Sequence, residues 1–120
     1  MALHPAADLF ERRPLVFTAH SAESAYLSER ICAFVLGQGA VPANPWMMGG
    51  YFLYGLVDKD LVRAANNNLL MRSDELWVFG APSDGVDVEV TWAEANGVPV
   101  HGFDLDHYGE AITGREGRPT

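Results

Sequence analysis

The stretch SDELWVFGAPSDGVDVEVTWAEANGVPVHGF, from Ser73 to Phe103, holds a strand, a helix and a second strand in one run. Its part ELWVFG is a short apolar segment with branched and aromatic residues, which is typical of a strand buried on both faces. Ser83 or Asp84 then begins a helix, Gly97 ends it, and VPVHGF predicts the next strand. A strand, a helix and a strand in this order form the basic unit of a parallel sheet.

The sequence before this stretch alternates in the same way. It predicts a strand at Leu15 to Ala19, a helix at Ala22 to Leu36, a short strand over AVPAN at 40–44, and a helix that begins at Asp58 or Asp60 and ends near Arg72. Strands alternating with helices imply a parallel sheet covered by helices on both faces. The predicted fold class is therefore α/β, a small Rossmann-like (flavodoxin-like) three-layer sandwich with a parallel sheet of about four strands.

Length and composition indicate one domain over residues 1–120. The chain has 120 residues, of which 48% are hydrophobic and 20% charged, which is enough for one hydrophobic core. We expect the core to span about 14–103, with 1–13 as an N-terminal extension and 104–120 as a polar, flexible tail. The formal net charge of −8 argues against a nucleic-acid polymer as partner, since that binding needs clustered Lys and Arg.

The sequence also bears on the compartment. Its first residues, MALHPAADLFERRP, contain no continuous apolar run long enough for a signal peptide or a membrane span. The single cysteine, Cys32, excludes an internal disulfide, and its helical apolar setting predicts a buried, inert thiol. We therefore expect a cytoplasmic protein that does not associate with membranes.

Candidate binding residues follow the predicted strands. In open parallel sheets, ligands bind outside the carboxyl ends of the strands. The residues at those positions that predict a binding site for a small molecule are His20, Ser21, Asn44, Trp46, Ser83, Asp84 and Gly85.

Glu89 lies close to the same edge of the sheet. At about 100° per residue, Val86, Val90, Ala93 and Gly97 form one stripe that faces the sheet, and Glu89 lies on the flank of that stripe. A carboxylate there would look into the crevice at the strand ends, where partial burial tunes its pKa. The alternative is a glutamate near a helix start that interacts with the helix dipole.

The segment DELWVFG followed by SDGVDVE resembles the nucleoside 2-deoxyribosyltransferase-like superfamily, which includes small nucleotide N-glycosidases and uncharacterised bacterial and phage relatives. The resemblance covers most of residues 14–103. Its most specific part is Ser-x-Gly-x-x-x-Glu, here Ser83, Gly85 and Glu89, placed after an apolar strand with a leading acid at Asp74.

This resemblance implies an enzyme that cleaves the N-glycosidic bond of a nucleoside or nucleotide, as a hydrolase or a deoxyribosyl transferase, without a cofactor. Glu89 would attack the anomeric carbon and form a glycosyl-enzyme. Ser83 would contact the sugar or its 5′-phosphate, and the backbone amides of Asp84 and Gly85 could bind the anion; Ser83 as a plain helix cap is the alternative. The resemblance also implies a homodimer or larger homo-oligomer.

Two positions depart from the family pattern. The turn after the first strand is AHSAES, where His20 could contact a phosphate or base or only cap the helix. Where the family has an aspartate that protonates or orients the leaving base, the closest position is Asn66, and an amide cannot act as a general acid. Asp58 or Asp60 could supply that acid instead.

The run Asn66 to Asn68 is unfavourable inside a helix, so it predicts either a base-binding group or an irregular helix. The departure at Asn66 allows an inactive nucleotide-binding or oligomerising module as an alternative function. An enzyme that cleaves the nicotinamide bond of NAD is a further alternative.

Two other segments leave alternatives open. The aromatic and Met-rich segment from Trp46 to Leu56 could close over a nucleobase or form a subunit interface, and Val88 and Trp92 favour an interface on the third helix as well. The cluster HGFDLDH, from His101 to His107, lacks the spacing of a recognised metal site, so we predict a solvated turn and no metal. The sequence contains neither a Gly-x-Gly-x-x-Gly fingerprint nor a Walker motif.

Overall fold

A computed structural model describes residues 4–48 and 52–115. The strands are β1 (Leu15–Ala19), β2 (Val41–Ala43), β3 (Glu75–Phe79), β4 (Val100–Leu105) and β5 (Ile112–Gly114). The α-helices are α1 (Ser28–Gly37), α2 (Lys59–Met71) and α3 (Asp84–Ala95), and 3-10 helices occupy Pro5–Asp8, Ala22–Leu27 and Phe52–Gly55. No helix within these ranges is long and apolar enough to cross a lipid bilayer.

The five strands form one mixed sheet in the order β2-β1-β3-β4-β5. The first four are mutually parallel, as the alternation of strands and helices predicts, and β5 pairs antiparallel with β4. Strand β2 lies at an edge and pairs only with β1, placing Pro42 opposite Val16. An edge strand tolerates proline because one side of it needs no backbone donor.

Helices cover both faces of the sheet. On one face, α1 packs through Ile31 and Val35 against strand residues that include Val16 and Phe79. On the other face, α2 and α3 pack against the alternate residues of the same strands, a second core that contains Phe17, Ala19, Leu70, Leu76, Val78, Val86 and Ala93. Because neighbouring residues of a strand point to opposite faces, the buried strands carry apolar residues on both sides.

The predictions of about four strands and of a tail from residue 104 are wrong. Strand β4 continues to Leu105, and residues Ile112–Gly114 form the fifth strand. Arg115 holds this strand in place, because its guanidinium donates to an Asp104 carboxylate oxygen at 2.9 Å and to the carbonyl of Gly80. A three-residue strand held by such distant contacts has no periodicity for sequence analysis to detect. Residues 116–120 of the predicted tail lie outside the described residues.

The first predicted helix is divided. Residues Ala22–Leu27 form a 3-10 helix, and the α-helix begins only at Ser28. The Ser21 side chain makes no capping hydrogen bond to the first turn, so the backbone donors there lack the partner that usually begins an α-helix. Cys32, predicted to be buried, is half-buried on α1.

Asp74 links β1 and β3 at the amino ends of these strands, opposite their carboxyl ends. Its side chain accepts a hydrogen bond from the Leu15 backbone N–H at 2.7 Å, and its own N–H donates to the Leu15 carbonyl at 2.7 Å. This reciprocal pair of hydrogen bonds fixes the register between β1 and β3. Asp74, the leading acid of the motif, thus lies at the opposite end of the strands from Glu89, and its hydrogen bonds to Leu15 stabilise the fold.

Replacing Asp74 with Ala should lower the free energy of unfolding by about 1 kcal/mol, because a charged acceptor of a backbone N–H is lost at an exposed position. Urea denaturation measures this change. Asp74→Asn is the matched control, since it keeps one acceptor oxygen and should lose less stability. Equal stability of the wild type and Asp74→Ala would contradict this account of the β1 and β3 register.

Candidate functional site

A cavity of about 350 Å³ opens at the carboxyl edge of the parallel strands, on the face covered by α2 and α3. Its wall combines apolar groups with hydroxyl, amide, imidazole and carboxylate side chains. The lining residues are Phe17, Thr18, Ala19, His20, Pro45, Trp46, Arg63, Asn66, Asn67, Ser83, Gly85, Val86, Val88 and Glu89. The size and the mixed wall suit a small organic ligand.

The strand order places the cavity. Strands β1 and β3 are neighbours, but the chain leaves β1 towards α1 on one face and leaves β3 towards α3 on the other. Divergent connections from adjacent parallel strands leave a crevice between them, which is the usual ligand position in such sheets. The cavity occupies this position, between the end of β1 and the start of α3.

Two helices contribute polar side chains through ordinary helical spacing. On α2, Arg63, Asn66 and Asn67 share one face because residues three and four apart are neighbours on a helix. Leu70, one turn further along the same face, is buried in the second core and fixes the rotation of α2. On α3, the buried Val86 and Ala93 fix the rotation of the helix in the same way, so that Glu89 faces the cavity.

Helix α2 is continuous through the asparagine run. It extends over Lys59–Met71 with Asp58 as its cap, so the alternative of an irregular helix at Asn66 to Asn68 is wrong. Asn68 points away from the cavity and donates to the Ala64 carbonyl at 2.9 Å. Asn66 and Asn67 instead present their amides to the cavity, where each offers both donors and an acceptor.

Glu89 is the acidic group of this cavity within the described residues. Burial raises the pKa of its carboxyl to about 7. No hydrogen bond or ion pair from another described side chain offsets this desolvation. Glu89 therefore titrates close to neutral pH and passes between a neutral carboxylic acid and a carboxylate anion there.

His20 and Asn44 form a buried polar pair beside the cavity, exposed by only 3% and 2%. The Asn44 amide nitrogen lies 3.1 Å from His20 Nε2, and the Asn44 amide oxygen accepts from the Met47 backbone N–H at 3.0 Å. His20 Nδ1 lies 3.3 Å from the Ser21 carbonyl, and the Trp46 indole N–H donates to the His20 carbonyl at 3.2 Å.

These contacts define the tautomer of His20. A carbonyl only accepts, so Nδ1 carries the hydrogen that bonds to Ser21, and Nε2 accepts from the Asn44 amide. The Met47 N–H fixes the orientation of that amide, since it needs the oxygen. Burial lowers the pKa of His20 to about 4, against a smaller opposing effect of the Ser21 hydrogen bond. His20 is thus neutral, with both ring nitrogens engaged.

The structure brings six of the nine predicted site residues to the cavity and leaves three outside its wall. Those in the wall are His20, Trp46, Asn66, Ser83, Gly85 and Glu89. Asn44 lies behind the wall and bonds to His20, Ser21 contributes a backbone carbonyl to the same imidazole, and Asp84 is exposed in the first turn of α3. Ser83 also caps α3, since its hydroxyl accepts from the Val86 N–H at 3.3 Å.

Sequence analysis missed Arg63 and named Asn67 only within the run Asn66 to Asn68. The spacing of Arg63, Asn66 and Asn67 on one helical face was the signal that could have found both. Arg63 is exposed and pairs with Asp60 at 2.9 Å, so Asp60 stands at the rim and not in the wall. Asp58 caps α2 through the Asp60 N–H at 2.8 Å. Neither aspartate therefore supplies an acid to the described wall.

The segment from Trp46 to Leu56 is described only in part, because residues 49–51 lie outside the described ranges. Trp46 lines both the cavity beside Glu89 and a second cavity of about 540 Å³ that Tyr26, Glu29 and Met47 also line. Met47, Met48, Leu53 and Leu56 are exposed. On α3, Val88 is exposed, as the predicted subunit interface requires. Trp92 is partly buried against the second core, so only part of its side chain is available for such an interface.

The His101 to His107 cluster is dispersed by the fold. His101 Nε2 lies 3.0 Å from a Glu75 carboxylate oxygen, Asp104 pairs with Arg115, and Asp106 accepts from the Glu110 N–H in a turn. No group of three or more His, Cys, Asp and Glu side chains within the described ranges is placed to hold a metal ion.

No family model matches the chain, and no curated protein matches its sequence. The function must therefore be inferred from the geometry of the site.

Glu89→Gln should stabilise the protein at pH 8 by roughly 1 to 3 kcal/mol and much less at pH 5. Between the ordinary pKa of 4.5 and about 7 the folded state holds a proton that the unfolded chain has lost, so stability falls as pH rises through this range and stays lowered above it. Glutamine removes that cost at high pH. Urea denaturation at both pH values, with the exposed Glu94→Gln on the same helix as control, measures it. The same stability difference at pH 5 and pH 8 would contradict the assignment.

Asn44→Asp should raise the pKa of His20 well above about 4. The new carboxylate keeps an acceptor for the Met47 N–H and places a second acceptor opposite Nε2, which favours the protonated imidazole. Titration of the imidazole resonances by NMR measures the shift. Asn68→Asp on α2 is the control and should leave His20 unchanged. A His20 pKa that stays near 4 in Asn44→Asp would exclude the proposed tautomer and amide orientation.

Proposed function

We propose that this protein cleaves the N-glycosidic bond of a nucleoside or nucleotide, with Glu89 as the nucleophile. The observation that carries the proposal is a half-buried carboxyl with a pKa near 7, in a cavity at the strand carboxyl ends that also holds Trp46, Asn66 and Asn67. Breaking this bond develops positive charge on the sugar, and an ionised carboxylate beneath the ring both stabilises that charge and attacks the anomeric carbon.

The other groups of the wall suit the two halves of such a substrate. The amides of Asn66 and Asn67 offer donors and acceptors that match the edge of a nucleobase, and the indole of Trp46 offers an aromatic face. The hydroxyl of Ser83 suits a hydroxyl group of a sugar. Arg63 at the rim and the amino end of α3 would favour a substrate with a phosphate.

The sequence resemblance to the nucleoside 2-deoxyribosyltransferase-like superfamily supports the same proposal. The strand order β2-β1-β3-β4-β5 is the order of flavodoxin-like sheets, with β5 antiparallel here, and it supports the proposal of a small Rossmann-like fold. We also propose a homodimer or larger homo-oligomer, formed in part by the apolar segment from Trp46 to Leu56, and a cytoplasmic location. Water or a second base would accept the sugar, which leaves both hydrolase and transferase chemistry open.

A second candidate function is a nucleotide-binding module without chemistry. What favours it is the wall itself, since the described side chains include no carboxylic acid besides Glu89 to protonate a departing base. This candidate predicts binding of nucleosides or nucleotides without release of the base.

Glu89→Gln should lower kcat/KM for base release by at least about 100-fold, because an amide can neither attack the anomeric carbon nor carry the charge. Chromatography of free bases, after incubation with ribo- and deoxyribonucleosides, their monophosphates and NAD, measures the loss. The wild-type kcat/KM should also rise with pH and level off above about 7, as Glu89 ionises in the free enzyme.

Glu94→Gln is the matched control, since Glu94 is exposed on the same helix and should leave turnover unchanged. Base release at the wild-type rate by a folded Glu89→Gln protein would exclude Glu89 as the nucleophile. Binding of a substrate without release of its base by the wild type would favour the second candidate.

A further inference from the structure

Loss of an ordinary nucleobase needs a proton as well as a nucleophile. When the bond between the sugar and a neutral purine or pyrimidine breaks, its electron pair moves onto the base, which then leaves as an anion unless an acid protonates it. Glycosidases generally use two carboxyl groups for these two tasks. In the described wall of this cavity, the titratable groups are His20, Arg63 and Glu89.

Neither His20 nor Arg63 is suited to donate the proton. His20 is neutral, its one N–H is directed to the Ser21 carbonyl, and Nε2 accepts from Asn44. An arginine side chain does not release its proton in proteins. Arg63 is moreover exposed at the rim and paired with Asp60.

Glu89 cannot perform both tasks in one step. As a nucleophile it must be ionised when the bond breaks, and an ionised carboxylate has no proton to donate. Asn66 and Asn67 can hydrogen-bond to a base but remain amides throughout. The side chains of the wall therefore match a leaving group that needs no proton.

On the basis of the proposed function, we propose that the substrates are cationic N-glycosides, in which the nitrogen bound to the sugar belongs to a positively charged ring such as a pyridinium or an N7-alkylated purine. The electron pair of the broken bond neutralises such a ring, so the base leaves as a neutral molecule. Glu89 forms the new bond to the anomeric carbon. Water then displaces Glu89, which leaves as a carboxylate, and one proton passes to the solvent.

The electrostatics of the cavity favour such a ring over a neutral one. A cation close to Glu89 stabilises the ionised carboxylate, whereas a neutral base only adds to its desolvation. Trp46 contributes an indole face, the aromatic surface that attracts cations most strongly. Its N–H donates to the His20 carbonyl at 3.2 Å, which holds the ring in place. Arg63 lies at the exposed rim, where it pairs with Asp60 at 2.9 Å and would contact a phosphate of the substrate and not the ring.

Pairs of substrates that differ in the charge of the base test this inference. One pair is 7-methylguanosine and guanosine, and the other is nicotinamide riboside and its reduced, neutral dihydro form. We expect Glu89-dependent kcat/KM to be at least about 100-fold greater for the cation in at least one pair, the lower end of what a general acid contributes when one is present. For nicotinamide riboside, whose pyridinium keeps its charge at every pH, the pH profile should show a rising limb only.

The outcomes separate the inference from the proposed function. Glu89-dependent release of the neutral base as fast as the cationic one, or a bell-shaped pH profile that reveals an essential acid, would overturn the inference and leave N-glycosidic cleavage standing. No release from any of the four compounds beyond that seen with Glu89→Gln would overturn both.

Discussion

The site depends on one topological constraint, which is the reversal of strand order between β1 and β3. These neighbours run parallel, but their following helices pack on opposite faces, so no described helix or strand fills the space above their junction. The second core fixes the rotation of α2 and α3 beside that space. Helix geometry then brings Asn66, Asn67 and Glu89 together, although they come from distant parts of the chain.

A second set of contacts keeps the open end of the site in shape. His20 follows β1, Asn44 follows β2, and the bonds between them tie the two strand ends together. The same pair positions the turn after β2, since Asn44 accepts from Met47 and the His20 carbonyl accepts from Trp46. His20 and Asn44 thus hold Trp46 beside the cavity, and their side-chain hydrogen bonds to each other and to the backbone explain how this polar pair is buried there.

Sequence patterns predicted those features that local spacing determines. The strands β1 and β3 were recognisable because both of their faces are buried, and Glu89 because the stripe of α3 is fixed by Val86 and Ala93. The flank position was correct, although spacing alone did not reveal how strongly burial would act on the carboxyl.

Features determined by distant contacts escaped prediction. Strand β5 has three residues and depends on Arg115 contacting Asp104 and Gly80. Asn44 follows a strand, as a binding residue is expected to, but its hydrogen bond to His20, 24 positions away in the sequence, holds it outside the cavity wall. Arg63 and Asn67 required knowledge of which face of α2 looks towards α3, and only the packing of Leu70 supplies it.

The proposed mechanism requires a covalent bond between Glu89 and the sugar. In a nucleoside whose sugar carries fluorine at C2′, the fluorine destabilises the positively charged transition state and so slows both the formation and the breakdown of the glycosyl-enzyme. The glycosyl-enzyme should then persist long enough to be detected by intact-protein mass spectrometry. We predict a mass increase equal to one fluorosugar, located by peptide mapping to Glu89 and absent from Glu89→Gln. Release of the base with no adduct on Glu89, or with the adduct on another residue, would contradict this account.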